Sequence, residues 1–280
     1  MINSEIDTLY APSKWSKREQ VSQQHIDFAT EASKKSREQI PCELNISYGE
    51  REREKYDIYG TDLPDSSPIF IFVHGGYWQK FSKNESSYAA PSLYKHKIKT
   101  IVIGYSQCPN VTIYDIVQEI ERAMKACIVY AKTCGSRGIY LLGYSAGAQL
   151  VACLFSNLFP TLSQEEQNIF KAVILCSGVY DLTPLVLTSY NAPLKLTHED
   201  AKNLSPMFYN VPALNFPVHI VAAENDSPAF IEQSQQYFNN IKPVCKANFK
   251  VIKDTDHFSI IEKMKDDSYE IVKFITDMEN

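Results

Sequence analysis

Gly143-Tyr144-Ser145-Ala146-Gly147 sets a serine between two glycines, after the apolar run Ile139–Leu142 and before a helical stretch, Ala146–Asn157. A serine on a sharp strand-to-helix turn lifts its hydroxyl out of the sheet, where it can attack a carbonyl carbon. Gly143 and Gly147 carry no Cβ, so strand and helix can approach closely. The helix N-terminus also brings positive partial charge beside the reacting group. A glycine pair stands upstream in His74-Gly75-Gly76-Tyr77-Trp78, directly after the apolar run Pro68–Val73. The amides of Gly75 and Gly76, joined by that of Ala146, are the candidate oxyanion donors. His74, at a strand end, is expected to hold this loop by hydrogen bonding. Tyr77 and Trp78 are candidates to line an aromatic substrate site, or else packing that shapes the loop. Alone, the serine motif also fits a Gly/Ser loop without chemistry; the groups below weigh against that reading.

A nucleophilic serine needs a base, and six histidines are available. His25 lies in the leading helical stretch, His96 in a Lys-rich stretch and His219 within an apolar strand. Structural or surface roles suit these three. His198 precedes Glu199-Asp200 at a helix start. His257 differs: it follows the last strand, Phe249–Ile252, and opens the last helical stretch. Loops at the carboxyl ends of parallel strands are where such sites assemble. The acid is sought after the preceding strand, Val218–Ala222, and Asp226 fits. Asp-Ser-Pro also reads as a helix start, so capping is its alternative role. Asp256 is a rival, discounted because neighbouring side chains diverge; Asp181, after another strand, is weaker. The chain order Ser145, Asp226, His257 is that of α/β hydrolases and differs from the two common serine-protease orders.

These groups need a scaffold. Short apolar runs (Pro68–Val73, Thr100–Gly104, Gly138–Gly143, Ala172–Cys176, Val218–Ala222, Phe249–Ile252) alternate with helical stretches (Ile113–Lys132, Ala146–Asn157, Ala229–Asn239, Phe258–Met278). Alternation of this kind predicts an α/β fold: a mostly parallel, doubly wound sheet with helices on both faces. Ser13 to Gln39 reads as one or two helices, Ile46 to Tyr59 as extended, and Glu50–Lys55 as a solvated mixed-charge hairpin. Residues 1–280 are expected to form one domain, with 1–45 a leading helical segment packed on it.

Composition narrows the function classes. The 280 residues are 44% hydrophobic and 22% charged, which fits a globular chain. A net charge of -5 with no basic stripe argues against a nucleic-acid partner. The apolar runs fall short of the roughly 20 residues a membrane span needs. No positively charged start precedes an apolar core, so a cytoplasmic location is expected. Seven cysteines at wide spacings, without a CxxC pair, fit a reducing compartment better than a disulfide framework or a zinc site. Sequons at Asn45, Asn84 and Asn110 then read as chance matches. No cofactor and no metal are expected, and the partner is a small-molecule substrate.

Most of the chain resembles the kynurenine formamidases (arylformamidases). His74-Gly75-Gly76-Tyr77-Trp78 with Gln79 is similar to their HGGxW box, and Gly143–Ala148 to their nucleophile elbow. Asp226-Ser227-Pro228 with Phe230 resembles their acid segment, and Asp256-His257-Phe258 with Ile260-Ile261 their histidine segment. Tyr10–Trp15 and Gly178–Leu182 look familial too. Tyr144 departs from the histidine expected in many relatives. The resemblance implies hydrolysis of N-formyl-L-kynurenine to L-kynurenine and formate, a step of tryptophan breakdown, through a formyl-enzyme on Ser145. It also implies a homodimer. Related carboxylesterases of small acyl or aryl esters share the scaffold, and a non-catalytic binding module is the alternative from another class.

Overall fold

The computed structural model describes residues 2–279. Its strands are β1 (Cys42–Ser47), β2 (Lys55–Tyr59), β3 (Ile69–Val73), β4 (Lys99–Ile103), β5 (Ile139–Tyr144), β6 (Phe170–Cys176), β7 (Val218–Asn225) and β8 (Ala247–Asp256). They form one eight-stranded sheet in the order β1-β2-β4-β3-β5-β6-β7-β8. β2 pairs antiparallel with β1 and β4, and every other pairing is parallel. This is the mostly parallel α/β sheet the alternating runs predict.

The middle strand shows why. β3 reads Ile-Phe-Ile-Phe-Val and is wholly buried, as a parallel strand covered on both faces must be. Its residues alternate between two cores: Ile69, Ile71 and Val73 join one, Phe70 and Phe72 the other. The main helices are α1 (Val21–Gln39), α2 (Ile113–Cys134), α3 (Ala146–Asn157), α4 (Pro228–Ile241) and α5 (Glu270–Asp277). Apolar residues of α2, α3 and α4 fill the first core. Those of α1 and α5 fill the second, with Leu93, Ile260 and Ile261. α1 buries Val21, His25, Ala29, Ser33 and Ser36, one stripe at helical spacing. Small residues there let the helix lie close: Ser33 Oγ accepts the Ser87 amide at 3.0 Å, and Ser36 Oγ donates to the Ser87 carbonyl at 2.9 Å. Among the described residues no helix is long and apolar enough to cross a membrane.

Three expectations need correction. The last helix is not continuous over Phe258–Met278: it breaks into Ser259–Glu262, a 3-10 turn at Lys263–Lys265, and α5. Asp266 Oδ1 accepts the amide and hydroxyl of Ser268, a local turn that competes with the helix. His257 accordingly stands on the turn after β8, not at the head of a long helix. The charged run at 50–55 is not simply solvated. Glu54 is buried and held by Arg122 Nε at 2.8 Å, while Arg51 reaches buried Glu119 at 2.7 Å. His219 has the structural role expected of it: it is half-buried, its ring against Phe274 and its Nδ1 2.8 Å from Asn248 Oδ1.

Candidate active site

Ser145 joins β5 to α3 with φ 54° and ψ -119°, a backbone region an L-residue rarely occupies. Its amide donates to the Cys176 carbonyl at 2.8 Å, which fixes the turn against β6. Gly147 permits the bend: a Cβ there would lie 2.1 Å from the Val73 carbonyl oxygen at the end of β3. Only glycine lets α3 start this close to the sheet.

His257 Nε2 lies 3.0 Å from Ser145 Oγ, and Nδ1 lies 2.8 Å from Asp226 Oδ2. The three residues are 5%, 4% and 4% exposed for Ser145, Asp226 and His257. A carboxylate only accepts, so Nδ1 carries the proton and Nε2 is left to accept from the hydroxyl. β7 and β8 pair in parallel with Asn225 opposite Asp256, which brings the loops of Asp226 and His257 side by side. The helix-capping role considered for Asp226 falls to Ser227, whose Oγ accepts the Ala229 amide at 3.2 Å. Asp226 Oδ1 accepts the Ser227 amide at 2.8 Å, leaving Oδ2 for the imidazole. The His257 ring is bounded edge-on by Phe230 and Phe258 at 4.9 and 5.6 Å. Tyr144 adds a contact that no motif announces: its hydroxyl donates to the His257 carbonyl at 2.8 Å.

The rival acids are engaged elsewhere. Asp256 accepts from Ser16 Oγ, Arg18 and the amides of Phe258 and Ser259. Burial pushes its carboxyl up, but the hydrogen bonds from Arg18, Ser16 and Ser259 outweigh that and hold it well below the usual carboxylate range. Asp181 Oδ1 accepts the Thr183 amide at 2.8 Å, a local turn.

The glycine-pair loop lies directly on the serine: a Cβ on Gly75 would sit 2.8 Å from Ser145 Cβ. Among the described residues, no acceptor takes the amides of Gly75, Gly76 or Ala146. Burial draws His74 down to about 4, so it is neutral near pH 7. Its Nδ1 lies 2.8 Å from the Gly75 carbonyl and its ring stacks on Tyr105, whose hydroxyl donates to the His74 carbonyl. His74 anchors the loop.

Ser145 and His257 open into a cleft at the carboxyl ends of the strands. Tyr77, Phe81, Tyr190 and Phe258 give it aromatic walls. Tyr77 stacks on Tyr190 at 4.1 Å, and its hydroxyl donates to the Tyr10 carbonyl at 2.6 Å. Trp78 corrects the sequence reading. It is fully buried under the loop, with Nε1 donating to Gln149 Oε1 at 3.0 Å, and it does not line the cleft. Sequence reasoning also missed Tyr190, which sits in an irregular stretch, and Pro12, Ser13, Ser22 and His25, which roof the cleft from the leading segment. Pro12 and Ser13 lie in the familial Tyr10–Trp15 stretch and His25 on the buried stripe of α1, but neither signal points to the cleft. His25 is buried, with Nδ1 2.8 Å from Glu262 Oε1.

Comparison with known proteins identifies the family and the fold. The BD-FAE family model matches residues 56–241, which carry Ser145 and Asp226. A kynurenine formamidase of Danio rerio is 33% identical over 290 residues, covering 99% of this chain and 97% of the relative. One from Drosophila melanogaster is 30% identical, covering 84% of this chain and 81% of the relative. The crystal structure of a candidate thioesterase from Silicibacter sp. TM1040 aligns with a TM-score of 0.83 at 30% identity, covering 97% of this chain and 99% of that one.

Proposed function

The chain belongs to the kynurenine formamidase family of α/β hydrolases, and from that premise we propose that Ser145, His257 and Asp226 are the groups with which it cleaves N-formyl-L-kynurenine to L-kynurenine and formate. The observation that carries the catalytic assignment is the hydrogen-bonded relay from Ser145 Oγ through His257 to Asp226 at 3.0 and 2.8 Å, opening into an aromatic-walled cleft.

His257 Nε2 takes the hydroxyl proton as Ser145 Oγ attacks the formyl carbon. Asp226 keeps the imidazole in the productive tautomer and stabilises its cation. The negative charge that develops on the formyl oxygen meets the unpaired amides of Gly75, Gly76 and Ala146; one such donor is worth about two to three powers of ten in rate. As the tetrahedral adduct collapses, His257 returns its proton to the departing aniline nitrogen. That nitrogen leaves readily because its lone pair is shared with the ring. Water, activated by the same imidazole, then releases formate from the formyl-enzyme. The walls formed by Tyr77 and Tyr190 suit the aryl ring. Residues 1–280 act as one domain in this reading.

Steady-state rates on N-formyl-L-kynurenine and on small aryl esters test the substrate. The formamide should be preferred in kcat/KM; a strong preference for esters points instead to a carboxylesterase on the same triad. Activity should be indifferent to EDTA. We further place the enzyme in the cytoplasm, supported by seven cysteines of which five are buried, and as a homodimer, which sedimentation equilibrium would check.

A further inference from the structure

We propose that Arg18 is a positioning residue for His257: a cation carried by the leading segment clamps the two acidic groups that bracket the histidine turn, and so sets the imidazole against Ser145. The proposal rests on the triad reading above but not on the identity of the substrate.

The turn runs from Asp256 at the end of β8 to Glu262 at the end of a single helical turn. Asp256 is 7% and Glu262 9% exposed, so neither carboxylate is well solvated. Arg18 bridges them. Nε and Nη2 meet Asp256 Oδ2 and Oδ1 at 2.9 and 3.1 Å, while Nη1 and Nη2 meet Glu262 Oε2 and Oε1 at 2.9 and 3.3 Å. Ser16 Oγ adds a donor to Asp256 at 2.6 Å, and His25 one contact to Glu262. A planar guanidinium can serve two carboxylates in paired fashion; an ammonium cannot. Without it, Asp256 would keep only Ser16 and the amides of Phe258 and Ser259, Glu262 only His25, and two poorly solvated carboxylates would lose the cation they share, a loss that costs far more than at an exposed pair. Relief requires the turn to move, and His257 is the residue after Asp256.

The same segment also touches the other two site loops. The Leu9 carbonyl accepts from Ser227 Oγ beside the acid, and the Tyr10 carbonyl accepts from Tyr77 in the loop of the oxyanion donors. Residues 9–25 thus tie together the loops of base, acid and oxyanion donors, and Arg18 is the charged member of that strap. A displacement of about 1 Å in a reacting group can cost about a hundredfold in rate.

The test compares the wild type with Arg18→Met, Arg18→Ala and Arg18→Lys. Arg18→Met should lower kcat about 10- to 100-fold with KM held within about threefold. Fluorophosphonate labelling of Ser145 should slow in parallel. Sub-denaturing guanidinium should restore part of the rate to Arg18→Ala, and Arg18→Lys should recover little. An unchanged kcat with a lowered Tm makes Arg18 merely structural and overturns the proposal. A rise confined to KM overturns it too, since the strap then acts on substrate. If Arg18→Met does not fold, Arg18→Lys decides: wild-type kcat in that variant contradicts the clamp. An unlabelled wild-type Ser145 defeats the triad reading itself; a labelled wild type with an equally fast Arg18→Met defeats only this inference.

Discussion

The Ser145 turn and the leading segment meet at one cleft but are built by opposite means. The turn is local and steric. Ser145 adopts φ 54° because β5, α3 and β3 converge where Gly147 has no side chain, and every part of it lies within a few residues in sequence or one strand away. The leading segment is distant and polar. Ser16 and Arg18 reach Asp256 across 240 and 238 residues, and Tyr10 receives Tyr77 across 67. Backbone sterics make the Ser145 turn rigid; charge and hydrogen bonding fasten the walls around it. The first cannot be relaxed without rebuilding the sheet, whereas the second can be weakened one contact at a time.

That contrast can be broken at its strongest point. Ser145→Ala should lower kcat by about four to six powers of ten with little change in Tm, and His257→Ala should lower it as far while also lowering Tm, because the buried Asp226 carboxylate loses its partner. Asp226→Asn should cost about four powers of ten, since the imidazole tautomer is then no longer enforced. Steady-state kinetics with a thermal melt check both. Were Asp256→Asn the more damaging change, the assignment of the acid would be reversed.

Gly147→Ala tests the steric half. A methyl 2.1 Å from the Val73 oxygen has nowhere to go, so the fold should lose about 3 kcal/mol or more in denaturant titration, and activity with it. Trp78→Phe should cost about 1–3 kcal/mol, by stranding the buried Gln149 acceptor, and should leave KM unchanged. A changed KM would return Trp78 to the substrate site.

The smallest effect concerns acid. The folded-state pKa of Asp256 lies below the unfolded value of about 3.9, so its pairing with Arg18 and Ser16 stabilises fully above that pH. This contribution fades as pH falls through the folded value. The Tm difference between wild type and Asp256→Asn should therefore be largest near neutrality and narrow below about pH 4. A difference that widened in acid would have the wrong sign for a depressed carboxyl.

How much of this was legible in the sequence follows the same division. Continuous apolar runs such as Ile69–Val73 and helical spacing such as Ile116, Ile120, Met124 revealed the layered sheet, because burial on both faces leaves a compositional trace. The relay was legible through its order and its places after strands. Tyr144 was seen only as a flank of the serine, since nothing local says that its hydroxyl reaches the His257 carbonyl. Trp78 stood open between substrate wall and loop packing, because an aromatic after a glycine pair fits both; its burial under the loop favours packing. The break at Asp266–Ser268 was hidden by apolar spacing on either side. Arg18 and His25 were invisible as site residues, because long-range ion pairs leave no period in the chain.

Everything proposed for the site depends on Ser145 being the nucleophile for the formamide itself. Fluorophosphonate treatment followed by peptide mass mapping, with and without N-formyl-L-kynurenine, tests that most directly. The adduct should fall on Ser145, abolish formamidase activity in proportion to labelling, and form more slowly when the formamide is present. An adduct on another residue, or full formamidase activity after complete labelling of Ser145, would contradict it.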